Sequence, residues 1–244
     1  MAGSSAERQE TGVVDAVKKS IKNNSKNPIT LISKNGKKIT GIINADKYSG
    51  RQVTGSEPYI DVIFEKKEKN KIISIGLSLK GESAPSLAGG GLRGINLAVP
   101  GLANRFMKAV YKKLIKTGLN AGDKIPDVYG EITGGNKTKI VVGNKQMGGP
   151  IDYMYIGPMN VTGTYDEKKN ILNLNGNIFE AKKYAASHKL FFRLRARRED
   201  QRFDPNASNK GVPKIYGKSP SRGDSSGRIV VTDKVPSRAI IIKL

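Results

Sequence analysis

The stretch "IISIGLSLKG", residues 72 to 81, decides how this chain reads. Its alternation marks a strand: Ile73, Ile75, Leu77 and Leu79 share one face, while Ile72, Ser74, Gly76, Ser78 and Lys80 share the other. The apolar face is expected in a core. Lys80 is then left on a face of small and polar residues, where a ligand could come close.

The run just upstream, "YIDVIF", reads as the partner strand of a hairpin whose charged turn is Lys66 to Lys71. Alternation puts Ile60, Val62 and Phe64 on one side and Tyr59, Asp61 and Ile63 on the other. With a turn near residue 68 or 69, Asp61 is expected almost opposite Gly76, with Ser78 as its diagonal neighbour. Cross-strand neighbours of this kind are about 5 to 8 Å apart. An acid and a lysine would thus converge beside a glycine gap. A carboxylate there can hold Mg²⁺, and a nearby ammonium can steady a nucleophile or transition-state charge. Hydrolysis of a phosphodiester needs little else.

Composition points the same way. The chain has 244 residues, with 43 Lys and Arg against 21 Asp and Glu, a formal net charge of +22. Such a surplus suits a polyanion, most often nucleic acid, although abundant Lys, Asn and Ile also fit an AT-rich gene. The absence of cysteine removes disulfides, zinc ribbons and thiolate nucleophiles. A single histidine, His188, makes a catalytic triad improbable and reads as a surface or strand-end residue. No apolar run approaches a membrane span, and the start "MAGSSAERQE" lacks a signal-peptide pattern, so a protein made in a cytoplasm is expected.

Outward from the hairpin, "SAERQETGVVDAVKKSIKN" predicts an amphipathic helix with Val13, Val14, Val17 and Ile21 inward. "PITLISKNGKKITGIINADKY" predicts a hairpin turning at Asn35-Gly36. "GESAPSLAGGGLRG" reads as a loop, and "GLANRFMKAVYKKLIKTGL" as a helix with Phe106, Val110, Leu114 and Ile115 inward and Gly118 as its stop. Beyond this come short β runs: "KTKIVVG", "PIDYMYIGPM", "NILNLNGNIF", "KLFFRLRARR", "GRIVVT" and "RAIIIKL". The expected organisation is an α/β core over residues 1–122 and a basic, mostly antiparallel β-rich extension over 123–244, with a surface loop near 204–227.

A helix carrying a glutamate ("ERQETGVVDAV"), a hairpin with an aspartate on its first strand ("EPYIDVIF") and a lysine ending its second ("ISIGLSLKG"), then a crossing helix, resembles the core of the PD-(D/E)XK nuclease superfamily. More narrowly, it is similar to nuclease-like proteins of tailed phages. The resemblance covers residues 5 to 120. It implies a restriction-endonuclease-like mixed sheet flanked by helices, in a phage-type protein acting in an infected cell or carried in a virion. It also implies Asp61 as the metal-binding acid, Lys80 as the catalytic lysine, and Glu10 or Glu7 as the helix acid. The superfamily places an acid two residues before the lysine, where this chain has Ser78. Glu10, Glu57 and Glu82 are the acids that could compensate. Two functions follow: an Mg²⁺-dependent endonuclease, or a non-catalytic nucleic-acid-binding or virion protein of the same fold. The oligomeric state is open, a homodimer included.

Cations mark the expected nucleic-acid surface. "GGGLRG" matches G-x-G-x-x-G at Gly89, Gly91 and Gly94, but no strand leads into it, so a pliable loop beside Lys80 is the better reading, with Arg93 adding charge. In "LFFRLRARRED", Arg193, Arg195 and Arg197 form a row, with Arg198 adjoining. At strand spacing they would lie roughly 6 to 7 Å apart, which suits successive phosphates; the alternative is an exposed edge strand protected by charge. Arg105 adds a further cation on the second helix. Asp127 and Glu131 form a second acid pair, in the wrong order for the hairpin site, and Tyr153, Tyr155 and Tyr165 are expected to pack rather than stack on bases.

Overall fold

The computed structural model describes residues 5–23, 28–82, 86–87, 91–195, 202–205, 218–219, 223–224 and 228–244. In chain order the elements are α1 (Ser5–Asn23), β1 (Ile29–Ser33), β2 (Lys38–Lys47), β3 (Val62–Glu68), β4 (Lys71–Gly81), α2 (Gly91–Ala98), α3 (Leu102–Lys116), β5 (Val128–Ile132) and α4 (Asn136–Val142). There follow β6 (Tyr153–Gly157), β7 (Gly163–Asp166), β8 (Ile171–Leu174), β9 (Asn177–Glu180), α5 (Ala181–Ser187), β10 (Leu190–Arg195), β11 (Lys218–Ser219), β12 (Gly223–Asp224), β13 (Arg228–Thr232) and β14 (Ile240–Ile242). The protein is mixed α/β, with two mixed sheets and flanking helices, as expected at that level.

Two compact units divide the chain, one of residues 1–85 and 141–187, the other of 86–140 and 188–244. The boundary expected at residue 122 falls inside the second unit. The first unit holds an eight-stranded sheet of order β7-β8-β1-β2-β3-β4-β6-β9. Its centre is the antiparallel meander β1 to β4, and strands from the later half of the chain extend both sides: β8 joins β1 in parallel, and β6 joins β4 in parallel. The β-rich half therefore does not stand apart as an extension. Helix α1 buries Val13, Val14 and Val17 in a core with Leu31, Ile42, Val62, Phe64, Leu77 and Tyr155, as its periodicity predicts.

The second unit is built on a four-stranded sheet of order β13-β10-β5-β14, together with α2 and α3. The rings of Phe106 and Phe192 meet at 5.3 Å between centroids. Gly130 makes room for this packing, since a Cβ there would lie 2.7 Å from Phe106 Cδ2. Helix α3 ends as predicted, with Gly118 at φ 76° donating its N–H to the Ile115 carbonyl. Ile115 itself is exposed, because one step of 100° carries it away from the buried arc of Phe106, Val110 and Leu114.

Four further expectations are corrected. Residues 91–94, the end of the stretch read as loop, open α2, in which Gly94 and Ile95 are buried. "KTKIVVG", read as strand, lies mostly in α4, where Ile140, Val141 and Val142 are buried, so packing overrides β-branched propensity. Strand β10 is central rather than an edge, paired by β13 on one side and β5 on the other. The crossing helix, α3, belongs to the second unit. Most of the loop expected over 204–227 lies outside the described residues. Among the described residues, no helix is long and apolar enough to cross a membrane.

Candidate active site

The β3–β4 hairpin turns at Lys69 and Asn70, with Glu68 opposite Lys71 and Val62 opposite Leu77. This register is two residues along β4 from the expected one, so each side chain keeps its face. Asp61 therefore comes beside Ser78 rather than Gly76. Its backbone N–H donates to the Leu77 carbonyl at 3.0 Å. Its Oδ2 accepts from Ser78 Oγ at 3.0 Å and from Leu79 N at 2.6 Å, and Lys80 Nζ stands 4.0 Å away. Asp61 and Lys80 are both largely covered, with side chains 23% and 16% exposed. At such depth an ion pair is screened less than at a free surface.

The expected gap above Gly76 is filled. A Cβ on Gly76 would meet Ile60 Cγ1 at 2.9 Å and the Pro150 carbonyl oxygen at 3.2 Å. The strand begins only at Val62, so Ile60 is released from the alternation and turns onto the Gly76 side. The approach to Asp61 lies instead at a cavity of about 270 Å³ lined by Glu7, Glu10, Tyr48, Glu57, Pro58, Ile60 and Asp61. Helix α1, with Glu7 and Glu10, and the segment 57–61, with Glu57 and Asp61, thus bring four carboxylates to one hollow. Burial, followed by the charge of Asp61, holds the Glu10 carboxyl above the usual range; Lys47, 4.0 Å from Glu10, pulls it back, and Glu57 and Glu7 push it up again.

Like charges gathered in this way suit a cation. Among the described residues no group of three or more Asp, Glu or His is placed to hold a metal ion. A cation of the Mg²⁺ type accepts one or two carboxylates and completes its shell with water or phosphate oxygens; Asp61, Glu10 and Glu57 line the same cavity. Glu82 is exposed and does not line it; burial and then the Glu82 charge push the Tyr155 hydroxyl up to about 12.

Sequence reasoning missed two residues that build this place. Gln9, 2% exposed, donates from Nε2 at 3.2 Å to the carbonyls of Lys80, Gly157 and Pro158. It ties α1, and so Glu10, to the ends of β4 and β6. The signal was present: Gln9 stands on the same stripe as Val13 and Val17, and a polar side chain on an apolar stripe asks for partners. Asp152 accepts from Gly76 N at 2.8 Å and donates its own N–H to the Gly76 carbonyl at 2.8 Å, fixing β6 beside β4. No local pattern marks it.

The expected arginine surface is only partly described. Arg193 pairs through Nε and its terminal nitrogen with Asp127 Oδ2, the former at 3.1 Å, and lies 5.9 Å from the Tyr129 ring centroid. It is held within its own sheet rather than offered to phosphates, and Asp127 is spoken for. Strand β10 includes Arg195, while Arg197 and Arg198 lie outside the described residues. Arg93 and Arg105 are exposed on α2 and α3. Tyr155 is buried, and the Tyr165 hydroxyl donates to Asn170 Oδ1 at 3.1 Å. No family model, curated protein or solved structure matches the chain.

Proposed function

We propose that this protein is a nucleic-acid-acting phosphodiesterase dependent on a divalent cation, with its centre at Asp61, Lys80 and Glu10. One observation carries the reading: in a chain of net charge +22, four carboxylates line one cavity, and Lys80 Nζ lies 4.0 Å from the deepest of them, Asp61. A strongly basic chain draws polyanions to itself, and a local acidic hollow within it makes chemical sense when a cation bridges acid and phosphate. The arrangement also supports the PD-(D/E)XK resemblance, with a helix acid, a hairpin aspartate and a strand-end lysine meeting at one place.

Asp61 and Glu10 would hold Mg²⁺, which when bound neutralises a phosphodiester and makes a coordinated water more acidic. Lys80 brings its ammonium to the same spot, where it can steady a nucleophile or the charge that develops on the phosphate. Ser78 cannot replace the missing acid, being buried and donating its hydroxyl proton to Asp61; its part is to orient that carboxylate. Burial and then the Asp61 charge hold the Glu10 carboxyl above the usual glutamate range, and a cation beside it would favour the carboxylate form.

The same Ser78 favours a second reading, a nucleic-acid-binding or virion protein that keeps the arrangement without cutting. Plasmid and linear DNA incubated with Mg²⁺ or Mn²⁺ separate the two. Wild type is expected to nick or cut, and Lys80→Ala, Asp61→Asn and Glu10→Gln to lose at least 10²-fold, the usual scale for a positioned catalytic group. An uncut substrate, or variants as active as wild type, would leave only the binding reading.

A further inference from the structure

Helix α3, "LANRFMKAVYKKLIK", contains Arg105, Lys108, Lys112, Lys113 and Lys116 and no acid. At 100° per residue, Arg105, Lys108, Lys112 and Lys116 fall within one arc of about 80°, opposite the buried arc of Phe106, Met107, Val110 and Leu114. All five cations are exposed, and none forms an ion pair with another described residue. We propose that this outer face of α3 is a docking track for the phosphate backbone of duplex DNA, with Arg105, Lys108, Lys112 and Lys116 as its contacts.

Helix physics makes the pattern notable. Lys113 and Lys116 lie in the last turn, where cations complement the macrodipole. Arg105 and Lys108 lie in the first half, next to a first turn without an acid, where cations oppose it. A solvated helix would interleave acids and gain i, i+4 pairs; this one gives them up. The row spans about 16 Å at 1.5 Å per residue, with steps of about 4.5 to 6 Å, long enough to meet several phosphates of a duplex.

The surroundings select the occupant. Single-stranded sites add aromatic platforms, and this face has none: Phe106 is buried, and Tyr111 is half-buried with its hydroxyl donating to the Pro205 carbonyl. A membrane-surface helix needs a free apolar face, whereas that of α3 is spent in the core, leaving Ile115 as its one exposed large apolar residue. The inference rests on the proposed function only for the partner being nucleic acid; the track and the cutting centre can fail separately.

Binding of the full chain to a labelled duplex of about 20 base pairs, in EDTA and over a series of salt concentrations, tests it. Lys108→Glu with Lys112→Glu is expected to weaken binding at least tenfold and to flatten the log–log salt slope by about 2, roughly one for each phosphate no longer neutralised. Lys168→Glu with Lys169→Glu, the same charge change on the exposed turn after β7, is expected to leave the slope unchanged. Equal loss in both double variants, no loss in the α3 variant, tighter binding of single strands, or preferential binding to anionic vesicles overturns the track. Cutting by wild type with binding indifferent to α3 sinks this inference alone. Binding through α3 without any cutting sinks the catalytic reading alone.

Discussion

Ser78 Oγ donates to Asp61 Oδ2 at 3.0 Å from a position that is almost wholly buried. With Leu79 N on the same oxygen, two donors fix the carboxylate before any substrate arrives. Ser78→Ala removes one charge-assisted hydrogen bond and is expected to cost about 1.5 to 3 kcal/mol in urea unfolding. A change below about 0.5 kcal/mol would mean that the hydrogen bond does not orient Asp61.

Ser78→Asp asks the opposite question. It places a second carboxylate beside Asp61 and is expected to lower Tm in EDTA, with Mn²⁺ or Mg²⁺ restoring it in proportion to the logarithm of concentration. Thermal denaturation with and without metal reads this directly. If neither wild type nor variant responds to the metal, the cavity acids are not cation donors.

Glu10 imposes a pH dependence whose sign can be worked out. Its folded pKa is raised above the ordinary value of 4.5, chiefly by burial and then by Asp61, so the folded state binds the proton more tightly than the unfolded state. Between those two values the native protein carries more protons, and stability falls as pH rises. Glu10→Gln is expected to remove that fall and to stabilise the protein at pH 7, since functional charge is often held at a cost to stability. Urea midpoints for both proteins from about pH 4.5 to 8 provide the check. A gap between them that does not widen with pH would contradict it.

Gly76→Ala is expected to destabilise by about 1 to 3 kcal/mol, because the new methyl would press on Ile60 and on the rigid Pro150 carbonyl. Ile60→Ala in the same chain relieves the softer of the two contacts, so the double variant should lose less than the sum of the singles. Strict additivity in chemical denaturation would show that the two residues do not meet.

Gln9→Ala leaves the carbonyls of Lys80, Gly157 and Pro158 without this donor. The expected loss is about 1 to 3 kcal/mol, along with faster amide exchange in the first turns of α1. Unchanged exchange there would remove Gln9 as the anchor of the helix.

Local rules made the site legible and long-range pairing remained hidden. The strand signal of residues 72 to 80 and the Asn35-Gly36 turn placed the meander, and the spacing of Val13, Val14 and Val17 placed α1, because each depends on neighbours within a few residues; the expected burial did not follow, since Ile73 is exposed and both faces are buried from Ile75 to Leu79. The Asp61–Ser78 register was missed by two residues on β4, since a two-residue turn at Lys69 and Asn70 cannot be told by charge from the longer lysine-rich stretch around it. Ile60 was assigned to the wrong side because alternation was extended past the point where the strand begins. Helix α4 was misread because β-branched residues can satisfy a buried helix as well as a strand. Nothing local announces that Asp152 will bracket Gly76, or that Arg193 will be held by Asp127.

The eight-stranded sheet also dictates an order of events. Thr30 pairs with Ile171 and Leu77 with Tyr153, so β1 and β4, the two outer strands of the early meander, keep bare edges until the later half of the chain has been synthesised. Chain emerging from the ribosome must carry these edges unpaired until β6 and β8 follow. A fragment cut near residue 122 would keep them bare for good, and self-association through β1 and β4 is its natural fate. The hairpin that bears Asp61 and Lys80 is therefore made early and sealed late.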